Sequence, residues 1–347
     1  MIPEAVAVTP AHRFDEAALD RFLAGHLPEY AGGLRVTQFP GGFSNPTFAL
    51  DAVDRAGQPL AYVLRKRPGG QLLSSAHRVD REYRVLKALW GTGMPVPRAR
   101  VLCEDAAVLG TSFFVMDRVR GRLFADPTLP GCSRTEREAI YDSMNESLAR
   151  LHGLDWQALG LADFGKPGHF LQRQVALWTR QYRAAQTEDV PEMEQLAAWL
   201  STHIPQSSRA SIVHGDYRLN NLLVHPTEPR VVAVLDWELC TLGDPLADLA
   251  YNCFCYYIDE PPVGFGGIDP EPLGIPAMRE YVDAYARRTG AEASHWNFHV
   301  ALQLLKSASL LQGVYARALA GTAPPAGLTK LAQVRERARL ALGIAGD

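Results

Sequence analysis

The sequence predicts an α+β fold in two lobes: a small antiparallel-sheet N-terminal lobe with one helix over residues 1–117, and a larger, mainly helical C-terminal lobe over residues 118–347. Three observations carry this expectation. The chain has 347 residues, more than one hydrophobic core usually serves. Its first third holds short runs of β-formers bounded by turn residues, whereas most of the remainder places apolar residues at helical spacing. With 47% hydrophobic and 21% charged residues, the composition is that of an ordinary globular protein.

In the N-terminal lobe, TFALDA (47–52), AYVLRK (61–66) and SFFVMD (112–117) read as strands. Between the second and third lies a helix from Ala76 to Leu89, stopped by the glycines and prolines of GTGMPVP. The segment after Asp117, RVRGRLFADPTLPG, has no clear period and reads as a hinge or linker between lobes. Ser133 then opens a helix, with Glu136 completing a capping box, Ile140, Met144, Leu148 and Leu151 forming an apolar stripe, and Gly153 ending it. Further helices are expected at 170–183, 191–203, 276–289 and 296–319. The segment IVHGDYRLNNLLVHPTEPRVVAVLDWE interrupts this helical half with two β-like pieces.

Charge and cysteine usage exclude several classes of function. A formal net charge of −3 gives no global field to gather nucleic acid or an anionic membrane surface, so any charged ligand must be recognised locally. The five cysteines Cys103, Cys132, Cys240, Cys253 and Cys255 show no CxxC pair or metal-like spacing and read as free thiols of a reducing cytoplasm. The first residues lack a basic stretch followed by an apolar run, and no later segment approaches the roughly 18 apolar residues of a membrane span. A cytoplasmic protein without membrane or nucleic-acid partners is expected.

The chemistry concentrates in HGDYRLNN. Asp216 precedes Asn221 by five positions, the spacing used in kinase catalytic loops, where the aspartate accepts the proton of an attacking hydroxyl and the amide oxygen coordinates Mg²⁺ without adding negative charge. Fifteen residues later Asp236 ends the run VVAVLD, a place that suits a magnesium ligand. Alone, an acid at a strand end is more often a turn former. The joint pattern and its short separation favour the metal-ligand reading.

These residues carry a family resemblance. HGDYRLNNLL, LDWELCTLGDPLADLAY and GGFSNPTFAL resemble the aminoglycoside phosphotransferase and choline kinase superfamily. From about Gln38 to Tyr251 the chain is similar to the kinase domains associated with acyl-CoA dehydrogenases and their free-standing bacterial relatives. The resemblance implies a bilobal protein-kinase-like fold and an ATP- and Mg²⁺-dependent phosphotransferase acting on a small-molecule hydroxyl. It assigns Asp216 as base, Asn221 and Asp236 as metal ligands, and His214 as a structural member of the catalytic loop. Asn220 departs from the aspartate that many relatives carry there. Asp248, in GDPLADLA, matches a position that buttresses the loop from a following helix, although a helix-surface acid is an equal reading of its spacing. A role for Glu238 toward metal or substrate stays open.

A phosphoryl-transfer site needs a cation on the nucleotide phosphates. Arg65 and Lys66 are adjacent and face opposite ways on a strand. Arg65 shares its face with Ala61 and Val63, the small-residue spacing of a kinase adenine ceiling, and is the choice over Lys66. On the following helix Val79, Leu86, Leu89 and Trp90 form an apolar stripe that contains Glu82, whose buried carboxylate would need a cationic partner, so an Arg65–Glu82 ion pair is expected. Gly42, Ser44 and Asn45, in PGGFSN, suit a hairpin over the phosphates. Met116 begins a hinge, residues 116–119, that would meet the adenine edge.

Two rival classes fit parts of the sequence. A metal hydrolase would use His214, Asp216 and His225, but the histidines have no HExxH-like arrangement. A catalytically inert nucleotide-binding module is favoured only by arginine standing where protein kinases have lysine. For the acceptor, residues 251–300 carry seven acids against three arginines, and residues 301–347 carry six basic residues against two acids. These opposite excesses cancel, which disfavours an aminoglycoside or other polycation. The aromatics Trp178, Tyr182, Tyr251, Phe254, Tyr256, Tyr257 and Trp296 are mostly core candidates, and some could line an apolar pocket. The resemblance points to a hydroxylated acyl chain such as a hydroxyacyl-CoA, and so to acyl-CoA metabolism; an amino-alcohol or aminoglycoside is the alternative acceptor.

Overall fold

The computed structural model describes residues 5–40, 45–68, 78–206 and 209–346. In chain order the first elements are α1 (Glu16–His26), β1 (Tyr30–Gln38), β2 (Thr47–Asp54), β3 (Pro59–Lys66), α2 (Val79–Leu89), β4 (Ala99–Cys103), α3 (Ala106–Leu109), β5 (Phe113–Asp117) and β6 (Arg122–Leu123). There follow α4 (Arg134–Gly153), α5 (Phe170–Ala185), α6 (Pro191–Thr202), β7 (Ser211–Val213), β8 (Leu222–Val224), β9 (Val231–Val234), β10 (Thr241–Gly243), α7 (Pro245–Asn252), α8 (Met278–Thr289), α9 (Trp296–Leu319) and α10 (Lys330–Gly346). They form two compact units. Unit 1 comprises Met1–Ser147, Gln157–Leu161 and Leu219–Cys240, and unit 2 comprises Leu148–Trp156, Ala162–Arg218 and Thr241–Asp347.

Unit 1 is built on a five-stranded antiparallel sheet of order β1-β2-β3-β5-β4. Period-two alternation sends Phe48, Leu50, Tyr62, Leu64, Phe113 and Val115 into one core with Leu19 and Leu23 of α1. Asp15 caps α1 by accepting from the Ala18 N–H at 2.9 Å. The helix α2 buries Val79, Glu82, Val85, Leu86 and Leu89. Trp90 does not belong to this stripe as the sequence suggests, because the helix ends at Leu89, Trp90 turns to an extended backbone and its side chain is 51% exposed. A second sheet, β6-β8-β9, also lies in this unit. Its edge strand β6 falls in the stretch expected to be a linker, and pairs Arg122 with Val224 and Leu123 with Leu223.

Unit 2 gathers α5, α6, α9 and α10 around one core that includes Trp178, Tyr182, Met193, Leu196, Leu304, Leu305, Val334 and Ala338. The 24-residue α9 is buried over most of its first half, as expected of a helix apolar on all sides. Strands β7 and β10 pair antiparallel, Thr241 with Val213 and Gly243 with Ser211, and lead into α7, whose N-terminus Asp244 caps by accepting from the Leu246 N–H at 2.9 Å. The capping box of α4 is present, with Ser133 Oγ accepting from the Glu136 N–H and Glu136 Oε2 accepting from the Ser133 N–H. The cysteines are free thiols. Among the described residues no helix is long and apolar enough to cross a membrane.

Candidate active site

Unit 1 brings Arg65, Glu82 and Asp236 together. Because Tyr62 and Leu64 enter the core shared with α1, the alternation of β3 turns Arg65 to the opposite face of the sheet. There Arg65 Nε lies 3.1 Å from Glu82 Oε2, and its Nη2 lies 3.1 Å from Asp236 Oδ1. The Arg65 and Glu82 side chains are only 11% and 2% exposed. Their contact is an ion pair without hydrogen-bond alignment, and the Trp237 N–H donates a hydrogen bond to the Glu82 carboxylate. Burial opposes the Arg65 charge, but Glu82, Asp236 and Glu238 outweigh it and raise its pKa. Burial likewise pushes Glu82 up, to about 7, with Arg65 pulling it down and Asp236 and Glu238 pushing it further up. Lys66, of the other parity, has no ion-pair partner among the described residues, and burial lowers its pKa.

One guanidinium thus faces three carboxylates, a formal deficit of two positive charges, which a divalent cation would make up. The three do not form a ligand set by themselves; among the described residues no group of three or more His, Cys, Asp or Glu side chains is arranged to hold a metal. Magnesium characteristically takes one or two carboxylates with phosphate oxygens and water, and Asp236 together with the amide of Asn221 suits that mode. Asp236 holds φ +65° and ψ 66°, a left-handed conformation costly for a non-glycine residue and frequent at functional positions. The buried Asn221 is fixed to the same segment through its carbonyl, which accepts from the Leu235 N–H at 2.8 Å.

The other expected nucleotide contacts are also on unit 1. Asn45 stands two residues before Thr47, the register partner of Arg65. Its side chain is buried, and both amide atoms lack a hydrogen-bond partner among the described residues. Such an orphaned amide is expensive unless a ligand satisfies it. Gly42 and Ser44 lie outside the described residues. Met116 is buried on β5. Within the segment 116–119, the N–H groups of Asp117 and Arg118 are committed to the carbonyls of Arg98 and Ala61. His225, a ligand candidate of the hydrolase reading, accepts instead from the Thr227 and Glu228 N–H groups of its own turn.

Unit 2 holds the segment His214–Arg218. Gly215 adopts φ +83°, a left-handed turn that glycine permits, and His214 Nδ1 accepts from the Asp216 N–H at 3.2 Å. Asp248 of α7 is buried, not on a helix surface. Its carboxylate accepts from the His214 N–H and, at 2.8 Å, from the Gly215 N–H. His152 adds a contact at 3.3 Å to Asp248, while its other ring nitrogen meets the Tyr285 hydroxyl at 2.6 Å. Burial would raise the Asp248 pKa, but His152, His214 and the Gly215 N–H outweigh it and hold the carboxyl below its ordinary range. Asp216 itself is 16% exposed, 3.3 Å from Arg218 Nε, and accepts a hydrogen bond from Tyr251. Sequence reasoning missed His152, Arg218 and Lys306, whose ammonium donates to the Gly215 carbonyl. The readable signal for Lys306 was a single charge inside the apolar helical run VALQLLKSASLL.

A model of the phosphotransferase enzyme family matches residues 35–296. The chain is 44% identical over 330 residues to acyl-CoA dehydrogenase family member 10 of Mus musculus, covering 94% of this chain and 30% of that protein. To acyl-CoA dehydrogenase family member 11 of Homo sapiens it is 44% identical over 322 residues, covering 90% of this chain and 41% of that protein. It therefore spans well under half the length of these curated relatives. A crystal structure from Ralstonia eutropha, provisionally assigned as an aminoglycoside phosphotransferase, superposes with a TM-score of 0.87 at 44% identity, over 96% of this chain and 99% of that one. At the level of fold alone, a ternary complex of aminoglycoside phosphotransferase APH(4)-Ia with AMP-PNP and hygromycin B gives a TM-score of 0.59 at 17% identity, over 94% of this chain and 98% of that one. The α+β, protein-kinase-like architecture read from the sequence is thereby shown, and the chain belongs to the phosphotransferase enzyme family.

Proposed function

We propose that the protein transfers the γ-phosphoryl group of ATP to a hydroxyl of a small molecule, with Asp216 as general base. The observation that carries this reading is the Arg65 guanidinium held at 3.1 Å from both Glu82 and Asp236. It supports this reading by holding within one unit the groups that would serve as phosphate-binding cation, its helix support and a metal-site carboxylate. Arg65 and Asn45 would bind phosphate oxygens. Asp236 and Asn221 would hold Mg²⁺, which when bound neutralises charge on the phosphates. Asp216 accepts the acceptor hydroxyl's proton as that oxygen bonds to the γ-phosphorus, the bond from the γ-phosphorus to the β,γ-bridging oxygen breaks, and ADP leaves. Asp248 positions the loop by holding the N–H groups of His214 and Gly215.

The acceptor we favour is a hydroxylated acyl chain such as a hydroxyacyl-CoA. Support comes from the identity to acyl-CoA dehydrogenase family members 10 and 11, and from the cancelling charges of residues 251–347, which leave that stretch no net negative charge to gather a polycation. The similarity to the Ralstonia eutropha structure supports a second reading, an aminoglycoside or amino-alcohol acceptor. A screen of hydroxyl-bearing metabolites for ATP consumption, with hydroxyacyl-CoAs and aminoglycosides as separate panels, tests both. Consumption confined to the acyl panel is expected. A nucleotide-induced thermal shift with no phosphoryl transfer to any acceptor would contradict it and identify an inert nucleotide-binding module.

A further inference from the structure

Lys306 is a buried lysine in the middle of α9, 6% exposed, where a charge is costly unless it is compensated. Its ammonium donates to the Gly215 carbonyl at 2.5 Å. It also lies over two aromatic faces, 4.0 Å from the Tyr251 ring centroid and 5.7 Å from that of Trp178. Each near contact leads to Asp216. Gly215 immediately precedes Asp216, and the two peptide groups that flank its Cα are each held, the N–H by Asp248 and the carbonyl by Lys306. Tyr251 donates its hydroxyl to the Asp216 carboxylate, so the ammonium sits against the ring whose oxygen orients that carboxylate. Burial lowers the Lys306 pKa, while Asp216 and Asp248 favour its charged form and Arg218 opposes it.

We infer that Lys306 is a positioning residue for the phosphoryl-transfer step, fixing both the backbone turn before Asp216 and the tyrosine that aims its carboxylate. The inference rests on the reading of Asp216 as base. A core methionine fills a similar volume without desolvating a charge, but it leaves the Gly215 carbonyl without its donor. A purely structural Lys306 would therefore register in stability and leave kcat close to wild type. A positioning Lys306 registers in kcat, since a misplacement of about 1 Å can cost on the order of 10²-fold in rate.

The test uses the full chain with Mg·ATP and water as the attacking hydroxyl, measuring phosphate release, together with amide hydrogen exchange of the peptide spanning residues 211–218. In Lys306→Met, kcat should fall about 10²-fold with the KM for ATP within about twofold of wild type. Exchange at the Gly215–Asp216 turn should quicken beyond any change in the rest of the chain. Lys306→Arg, which keeps the charge and the donor, should recover at least about tenfold of the loss. If Lys306→Met does not fold, Lys306→Gln, a neutral donor, replaces it with the same expected split. The inference is overturned if the neutral variant keeps kcat within about threefold of wild type, if exchange at the turn is unchanged, or if Lys306→Arg is no better than the neutral variant. Asp216→Asn, measured in parallel, separates the two claims. Undiminished hydrolysis in Asp216→Asn would sink the base assignment itself, whereas a dead Asp216→Asn beside an active Lys306→Met would sink only the role of Lys306.

Discussion

Glu82 owes its state to opposed forces. Burial pushes its pKa to about 7 and Arg65 pulls it down, with Asp236 and Glu238 adding like-charge repulsion. Both members of the Arg65–Glu82 pair could be read from the sequence, because strand parity selected Arg65 and a lone carboxylate inside an apolar stripe selected Glu82. The link from Arg65 to Asp236 could not, since it joins residues 171 positions apart and no local period encodes that distance. The pair has a quantitative consequence. In a double-mutant cycle of Arg65→Ala and Glu82→Ala, read as ATP affinity by titration calorimetry, the coupling should be about 1 kcal/mol or more, as for charges in one network. Additive losses, with Lys66→Ala alone abolishing binding, would transfer the phosphate contact to Lys66.

Among the elements, legibility followed side-chain size. The stripes of α4, α5 and α6 use Leu, Ile, Met and aromatics and could be read to within a few residues. The helix α10 could not, because its buried positions are Val334, Arg337, Ala338 and Ala341, small residues beside a buried arginine that mask the period. Strand β1 was hidden by Gly32 and Gly33, which take positive φ at a register shift and break the alternation. The short helix α7 has no stripe of its own worth the name, and its importance lies in Asp248, whose burial only the folded chain reveals. Replacing Asp248 by Asn leaves one oxygen for two backbone donors and removes the charge that His152 meets. Unfolding by denaturant should show a loss of roughly 3 kcal/mol, the scale for breaking a buried charged network. A loss under about 1 kcal/mol would mean that α7 does not anchor the loop.

At the scale of the whole molecule, the fold class and family could be read because HGDYRLNN and LDWELCTLGDPLADLA keep their chemistry within short stretches. The acceptor could not, since nothing in those stretches specifies it. A ligand that binds only the folded state stabilises it by mass action, so Mg·ATP at about 100 times its Kd should add about 2.7 kcal/mol to wild-type stability. Asp236→Ala should lose most of that gain, and an unchanged magnesium dependence of the thermal shift would remove Asp236 from the metal site. The central claim is that Asp216 takes the proton of an acceptor hydroxyl, and transfer of label from γ-labelled ATP to that hydroxyl, compared between wild type and Asp216→Asn at matched ATP occupancy, tests it most directly. The account predicts a labelled acceptor with wild type, at least about a 10²-fold slower transfer in Asp216→Asn, and nearly unchanged ATP affinity. Retention of more than about a tenth of the wild-type transfer rate by Asp216→Asn would contradict it.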